Sequence, residues 1–403
     1  MGKCRRSRLV AGAVLALAAG CGGSHTIPAP QEGAGVPLYA GMQGHVAVPP
    51  ATAAAIARDT RLVVGTRRQL TKLAPVLHAA NPKLIIEVYL NAMFTHPDQG
   101  STYPNSWYLH DAAGEAVRSR ARGNYLMNPL STSAFRGVDG WAAWVAHTCR
   151  ANLQAVPLAE GCFLDMTGPA PLHAGYDAGG AVPVQPTTGR PFPASQYLRM
   201  TGTVSRLVEH VTGHPVVSNG LESGLHASRA STRTLIPYAH GVEIEHWMGL
   251  DQREASTLAG WEANVELVMD LARLHRRTLV NAQTVDGRTE QSRLFALASF
   301  LLAAGPGQYL QIEPPGHAAP SWEDPSPLYG VALGSPAETA NAVAAYRAHG
   351  LFRRRYAHGL VVVNPGPWAE PFRAPSGYVP AAGGPALSGE IAPLTGVILV
   401  RGS

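Results

Sequence analysis

Two carboxylates and an amide stand at the ends of three short apolar runs. Gly161-Cys162-Phe163-Leu164-Asp165 stops at Asp165, shortly before Gly168-Pro169. Pro215-Val216-Val217-Ser218-Asn219 stops at Asn219, and Gly241-Val242-Glu243-Ile244-Glu245-His246-Trp247 carries Glu245 near its end. Interior strands of a parallel sheet are covered on both faces and read as continuous apolar runs, and chemistry gathers where such strands stop. Three successive strands of this kind present Asp, Asn and Glu at one rim. Paired carboxylates are what glycosidic cleavage needs. One protonates the leaving oxygen while the other attacks the anomeric carbon or activates water, at a separation of ~5–5.5 Å for retention and ~6.5–9.5 Å for inversion. Asp165 and Glu245, two strands apart, fit either spacing. Asn219 between them is placed to hydrogen-bond a sugar hydroxyl or acetamido group.

Strand alternation puts Glu243, Glu245 and Trp247 on one face and His246 on the other. Glu243 then sits a layer deeper, where a carboxylate must be hydrogen-bonded or protonated. Tyr89, Asn91, Trp107, Asn219, Glu243, Trp247, Gln283 and Glu313 form the expected substrate-binding set. Within it, Trp247, Tyr89 and Trp107, together with Tyr103, are candidates for stacking on sugar rings. The bland alternatives are a turn-capping role for Asp165, core packing for each aromatic, and an arginine-paired structural carboxylate for Glu245.

The elements that must position these residues alternate between strand and helix. Strands are expected at Val36 to Gly41, Arg61 to Gly65, Lys83 to Asn91, at the three runs above, at Thr278 to Thr284 and at Gln308 to Glu313. Helical stretches separate them, among them Ala51 to Arg58, Gln69 to Ala79, Trp141 to Arg150, Tyr197 to Thr212, Trp261 to His275 and Gln291 to Ala304. In the Lys83 to Asn91 strand, Ile85, Glu87, Tyr89 and Asn91 share a face whose polarity rises toward the C-terminal end. Eight strands with helices between them from residue 36 to 350 predict an α/β fold, a (β/α)8 TIM barrel. A doubly wound sheet is the runner-up, but it would carry a glycine-rich phosphate turn that Gly41-Met42-Gln43-Gly44 does not supply. Two long insertions interrupt the barrel. The stretch from Ala92 to about Val138 holds Asp111-Ala112-Ala113-Gly114, read as a hairpin turn, and Pro169 to Pro193 reads as a lid or rim. Beyond residue 350, short β segments between Gly/Pro turns predict a small C-terminal antiparallel β domain over 351–403.

With 46% hydrophobic and 15% charged residues, the 403-residue chain suits a loop-rich globular enzyme. Residues 1–21 read as a secretory leader: Lys3, Arg5, Arg6 and Arg8, then an apolar run from Leu9 to Ala19 too short to span a membrane. Ala18-Ala19-Gly20-Cys21 resembles a lipobox, so Cys21 is the expected lipidation site and membrane anchor of a cell-envelope lipoprotein. Ala18 stands where a larger aliphatic residue is usual, which keeps ordinary cleavage and secretion as the alternative. Residues 22–35 form a Gly/Pro/Ser-rich tether. Four of the 32 basic residues lie in the leader, leaving 28 against 27 acidic ones, a balance that does not point to nucleic acid. Cys149 and Cys162 remain as a candidate disulfide outside the cytoplasm. No cofactor is expected. No second Cys or His pair at ligand spacing accompanies the cysteines, and the 16 histidines include no His-x-His or His-Glu-x-x-His. A metal-dependent hydrolase using Glu243, Glu245 and His246, with Asp165 as a further candidate ligand, is therefore the weakest reading.

Lys83 to Asn91, the Trp107 to Val117 hairpin, Cys162 to Asp165, Gly241 to Glu245 and Arg355 to Pro365 together resemble a bacterial glycoside-hydrolase-like TIM-barrel family. That family is similar at its active rim to the polygalactosaminidase and spherulin-4 group. The resemblance implies a polysaccharide substrate, with amino sugars among the candidates, and a catalytic Asp after strand four and Glu after strand six. These fall on Asp165 and Glu245. Asp165 is then the nucleophile or electrostatic stabiliser and Glu245 the acid/base, its pKa raised by burial beside Trp247, with the roles open to exchange. A glycan-binding lipoprotein on a barrel without chemistry is the rival reading.

Overall fold

The computed structural model describes residues 35–42, 47–95, 102–119, 123–172, 181–221, 234–248, 257–283, 290–313 and 327–402. The leader with Cys21, and all of the tether but Gly35, lie outside these residues.

Eight parallel strands form one sheet in sequential order: β1 (Tyr39–Met42), β2 (Leu62–Thr66), β3 (Ile85–Asn91), β4 (Gly161–Asp165), β5 (Val216–Leu221), β6 (Gly241–Trp247), β7 (Arg277–Gln283) and β8 (Gln308–Glu313). Leu38, just before β1, bridges Leu310 of β8 in parallel, which closes the sheet into a TIM barrel. Among the described residues six α-helices cover it: α1 (Pro50–Asp59), α2 (Arg67–Ala80), α3 (Trp141–Ala155), α4 (Ala194–Thr212), α5 (Leu258–Arg273) and α6 (Glu290–Ala303). Their ends carry ordinary signals. Proline opens α1, Thr257 Oγ1 caps α5 by accepting from the Gly260 N–H, and Gly213 ends α4 with φ 71°.

Strand alternation sorts the side chains into two cores. Tyr39, Leu62, Val64, Ile85, Phe163, Val217, Leu279 and Tyr309 meet in the lumen. The opposite parity, including Ile86, Val88, Cys162 and Leu164, packs under the helices. Lower in the lumen, buried Glu87 and Arg277 form an ion pair at 2.6 Å. Burial pushes the Glu87 carboxyl up, and the Arg277 charge works against that rise. The polar residues Tyr89, Asn91, Asp165, Asn219, Glu243 and Glu245 have the same lumen parity toward the other end, so the barrel runs from a sealed core to a polar mouth.

A disulfide joins Cys149 of α3 to Cys162 of β4, fastening the helix to the strand that carries Asp165. The excursion after β3 folds into a small irregular β lobe. Asp111 Oδ1 accepts from the Ala113 and Glu115 N–H groups, which makes the expected hairpin turn. The Pro169 to Pro193 insertion lies partly outside the described residues; within it, Val184 bridges Pro191.

After β8 comes an antiparallel sheet of β9 (Arg347–Ala348), β10 (Leu351–Arg355), β11 (Gly359–Asn364), β13 (Tyr378–Pro380) and β15 (Thr395–Arg401), ordered β9-β10-β11-β15-β13. Beside it β12 (Glu370–Arg373) pairs with β14 (Ser388–Ile391).

Candidate active site

The end of β4 delivers Asp165 into a set of donors. Its Oδ2 accepts from the Tyr89 hydroxyl of β3 at 2.5 Å. Its Oδ1 accepts from the Met166 N–H at 2.8 Å and from Asn219 Nδ2 of β5 at 2.9 Å. Met166 has φ 64°, a left-handed conformation that is uncommon for a non-glycine residue and that turns the chain sharply after Asp165. Burial, followed by the neighbouring Glu245 charge, raises the Asp165 carboxyl to about 6; the three donated bonds oppose the rise. Tyr89 is pushed well above its ordinary range, first by burial and then by the Asp165 charge, so its hydroxyl keeps its proton and stays a donor.

Asn219 Nδ2 also donates to Glu245 Oε2 of β6, at 2.8 Å. One amide nitrogen thus spans the two carboxylates. Its two N–H bonds diverge by ~120°, so the oxygens that take them stand ~5 Å apart. Glu245 is the more open of the pair, with 34% of its side chain exposed. Among the described residues no lysine or arginine pairs with either carboxylate.

The other expected site residues divide. Glu243 lies a layer below and accepts from the Tyr39 hydroxyl at 2.8 Å. Asn91 neighbours Asp165 in register, and its Oδ1 accepts from the Met93 and Phe94 N–H groups and folds the chain after β3. Tyr89 serves through its hydroxyl, and its ring stacks on Phe163 with centroids 6.0 Å apart. Gln283 and Glu313 are register partners at the ends of β7 and β8, on the same rim; their side chains lie outside the description.

Three aromatics expected at the sugar are elsewhere. Trp107 is fully buried, donates to the Ser133 carbonyl and packs with Tyr103, Phe135, Trp141 and Trp144 between the lobe and α3. Half-buried Tyr103 is the centre of that cluster and not a sugar platform. Trp247 is fully buried and donates to the Asn264 carbonyl of α5. The reason is a bulge. Ile244 pairs with Val280 and Trp247 with Ala282, so β6 spends three residues where β7 spends two. The extra residue reverses the parity, sends Trp247 to the helix layer and brings His246 to the mouth, its Nε2 3.9 Å from Glu245 Oε2. The expected burial of Glu245 beside Trp247 therefore does not occur, because Trp247 lies in the helix layer. His246 follows Glu245 directly, but strict alternation hides it.

The model of the hypothetical glycosyl hydrolase family 15 matches residues 78–360. No curated protein matches the chain. Solved structures that it matches include trehalose-6-phosphate hydrolase from Bacillus licheniformis, at 10% identity over 90% of this chain and 98% of that chain, with a TM-score of 0.45. Another is an endo-beta-N-acetylglucosaminidase from Cordyceps militaris, at 9% identity over 75% of this chain and 89% of that one, with a TM-score of 0.37. The family match covers most of the sequence and takes in Asp165, Asn219 and Glu245, and the chain belongs to the hypothetical glycosyl hydrolase family 15.

Proposed function

We propose that the chain is a retaining glycoside hydrolase acting on a polysaccharide, with Asp165 as nucleophile and Glu245 as acid/base. The observation that carries the proposal is the Asn219 amide shared between the two carboxylates, which favours the ~5 Å separation of retaining enzymes over the wider gap that holds a water in inverting ones. The division of roles follows from the donors. Backbone and amide N–H groups can only donate, so Asp165 is held as an acceptor at fixed distance, as a nucleophile must be. Glu245, the more exposed of the two and met by Asn219 through one oxygen, is free to meet the leaving oxygen.

In the first step Glu245 transfers its proton to the glycosidic oxygen as Asp165 attacks the anomeric carbon. In the second, Glu245 takes a proton from water, which displaces Asp165. The substrate classes kept in view are neutral and amino-sugar polysaccharides, the latter from the resemblance of the rim to the polygalactosaminidase group. Anchoring through a lipid on Cys21 remains part of the proposal and rests on the sequence pattern alone.

The test is reducing-end release from neutral, amino-sugar and uronic-acid polysaccharides, with Asp165→Asn and Glu245→Gln alongside. Release by the wild type from the first two classes is expected, with the first-formed product keeping its anomeric configuration and both variants slower by at least about a thousandfold. Turnover that survives both substitutions would overturn the assignment. Tight glycan binding with no release by the wild type would favour the binding-protein alternative. Loss of labelled fatty acid in a Cys21→Ala chain expressed in a bacterial host checks the anchor.

A further inference from the structure

Asn219 can bridge two carboxylates only while its own strand end is held still, and the holding group lies behind the rim. Thr167, two residues past Asp165, is fully buried. Its N–H and its hydroxyl both donate to the Asn219 carbonyl, at 2.8 and 2.7 Å. Its own carbonyl accepts from Thr201 Oγ1 of α4, another fully buried group, at 2.6 Å. One residue therefore ties the end of β4 to the end of β5 and both to a helix.

The place matters because β5 is irregular there. Asn219 pairs with Glu243 and Leu221 with the next residue, Ile244, so Gly220 is extra and the ladder is interrupted beside the site. Two glycines allow the strand ends to close on each other. A Cβ on Gly168 would lie 2.6 Å from the Gly220 carbonyl oxygen, and one on Gly220 would lie 3.0 Å from Thr167 Oγ1. The left-handed turn at Met166 lets successive residues face different ways, with the Met166 N–H on Asp165 and the Thr167 N–H on Asn219.

We propose that Thr167 is a positioning residue: by clamping the Asn219 carbonyl with two hydrogen bonds it aims the Asn219 amide at Asp165 and Glu245 together and fixes their separation. The clamp is a property of the fold. Its consequence for turnover rests on the carboxylate pair being catalytic, and the experiment keeps the two apart.

Thr167→Val removes the hydroxyl at nearly constant shape, and Thr167→Ser restores it. The first readout needs no substrate. Carbon-13 NMR follows the Asp165 carboxyl through a pH titration, its signal identified by its loss in Asp165→Asn. The groups facing Asp165 are Tyr89 from β3, Asn219 from β5 and Glu245 from β6, with His246 beside Glu245; all are present in both Thr167 variants. A weakened Asn219 bond should move the Asp165 midpoint upward by about half a unit or more in Thr167→Val and leave Thr167→Ser near the wild type. On a glycan that the wild type cleaves, kcat should fall about tenfold in Thr167→Val with KM little changed, and return with serine. A Thr167→Val midpoint equal to the wild type's overturns the proposal. Where Thr167→Val does not fold, Thr201→Val loosens the same clamp from behind and must shift the midpoint in the same direction; no shift there overturns it equally. A wild type that cleaves nothing sinks the glycosidase reading, and the titration still decides the role of Thr167.

Discussion

Burial, and then the Glu245 charge, push the Asp165 carboxyl from its ordinary 3.8 up to about 6. Between those values the folded form holds a proton that the unfolded chain has released. Stability therefore falls as pH rises through that window, and the full penalty is present above about 6. Asp165→Asn removes the ionisation and keeps an acceptor for the Met166 and Asn219 donors. The variant should be more stable than the wild type at pH 7 by on the order of 1–3 kcal/mol, and the difference should vanish near pH 4. Thermal unfolding of both proteins at the two pH values checks this. An advantage of equal size at both would mean that the gain has another source. The sign marks Asp165 as a cost to the folded chain and not a support of it. Tyr89 is shifted in the same direction. A phenol driven above its usual range cannot ionise at working pH, so the donation to Asp165 is permanent.

Much of the scaffold is legible in the sequence, because a barrel strand is buried on both faces and must read as an apolar run that stops at the mouth. Lys83 to Asn91 is expected and Ile85–Asn91 is found. Asp165, Asn219 and Glu245 come together because each ends such a run. The parity of β6 is not legible, because Glu-Ile-Glu-His-Trp reads the same with or without an extra residue and the choice is made by pairing with the distant β7, Ile244 with Val280 and Trp247 with Ala282. Trp107 fails for a different reason: composition does not say whether a ring faces a sugar or a core. Thr167 carries no signal at all, since its role is a bond to a backbone carbonyl. The clearest device between elements is Arg354 of β10. Its Nη1 donates to the carbonyls of Leu301, Leu302 and Ala304 at the end of α6, with Tyr346 and Tyr356 within 6 Å of its guanidinium. It is buried there and meets no carboxylate among the described residues; the helix end itself supplies the negative pole. Arg354→Ala leaves three buried carbonyls without that donor and should destabilise the chain by about 3–5 kcal/mol in urea unfolding. Arg354→Lys, whose ammonium lacks the planar fork, should recover only part. A loss under about 1 kcal/mol for alanine would mean that water replaces the guanidinium.

At the scale of the whole molecule, the position of α6 decides how the barrel and the C-terminal sheet are related. Phe295 to Ala303 is a run of nine residues that are all buried, two and a half turns with no solvent face. A helix apolar on every side must be covered on every side, whereas an outer barrel helix should show an exposed stripe. The covering layer is the antiparallel sheet. Gly396 of β15 lies so close to α6 that an added Cβ would stand 2.3 Å from the Ala298 Cβ and 2.7 Å from the Leu294 carbonyl oxygen. Phe352 of β10 packs at a tilt against Trp261 of α5 with centroids 4.6 Å apart, which extends the same contact to the neighbouring helix. A sheet joined in this way shares the core of the barrel, and α6 cannot keep its present surroundings without it. Calorimetry of the whole chain should therefore show one transition for barrel and sheet together, and a chain cut after Tyr346 should fail to give a soluble barrel. Gly396→Val should lower the midpoint of that single transition by several degrees, because valine forces β15 off α6. Two transitions, with only the smaller one moved by Gly396→Val, would show that the sheet folds by itself. One transition moved as a whole makes Gly396, on the last strand of the chain, a determinant of the same fold that holds Asp165 and Glu245 at the mouth.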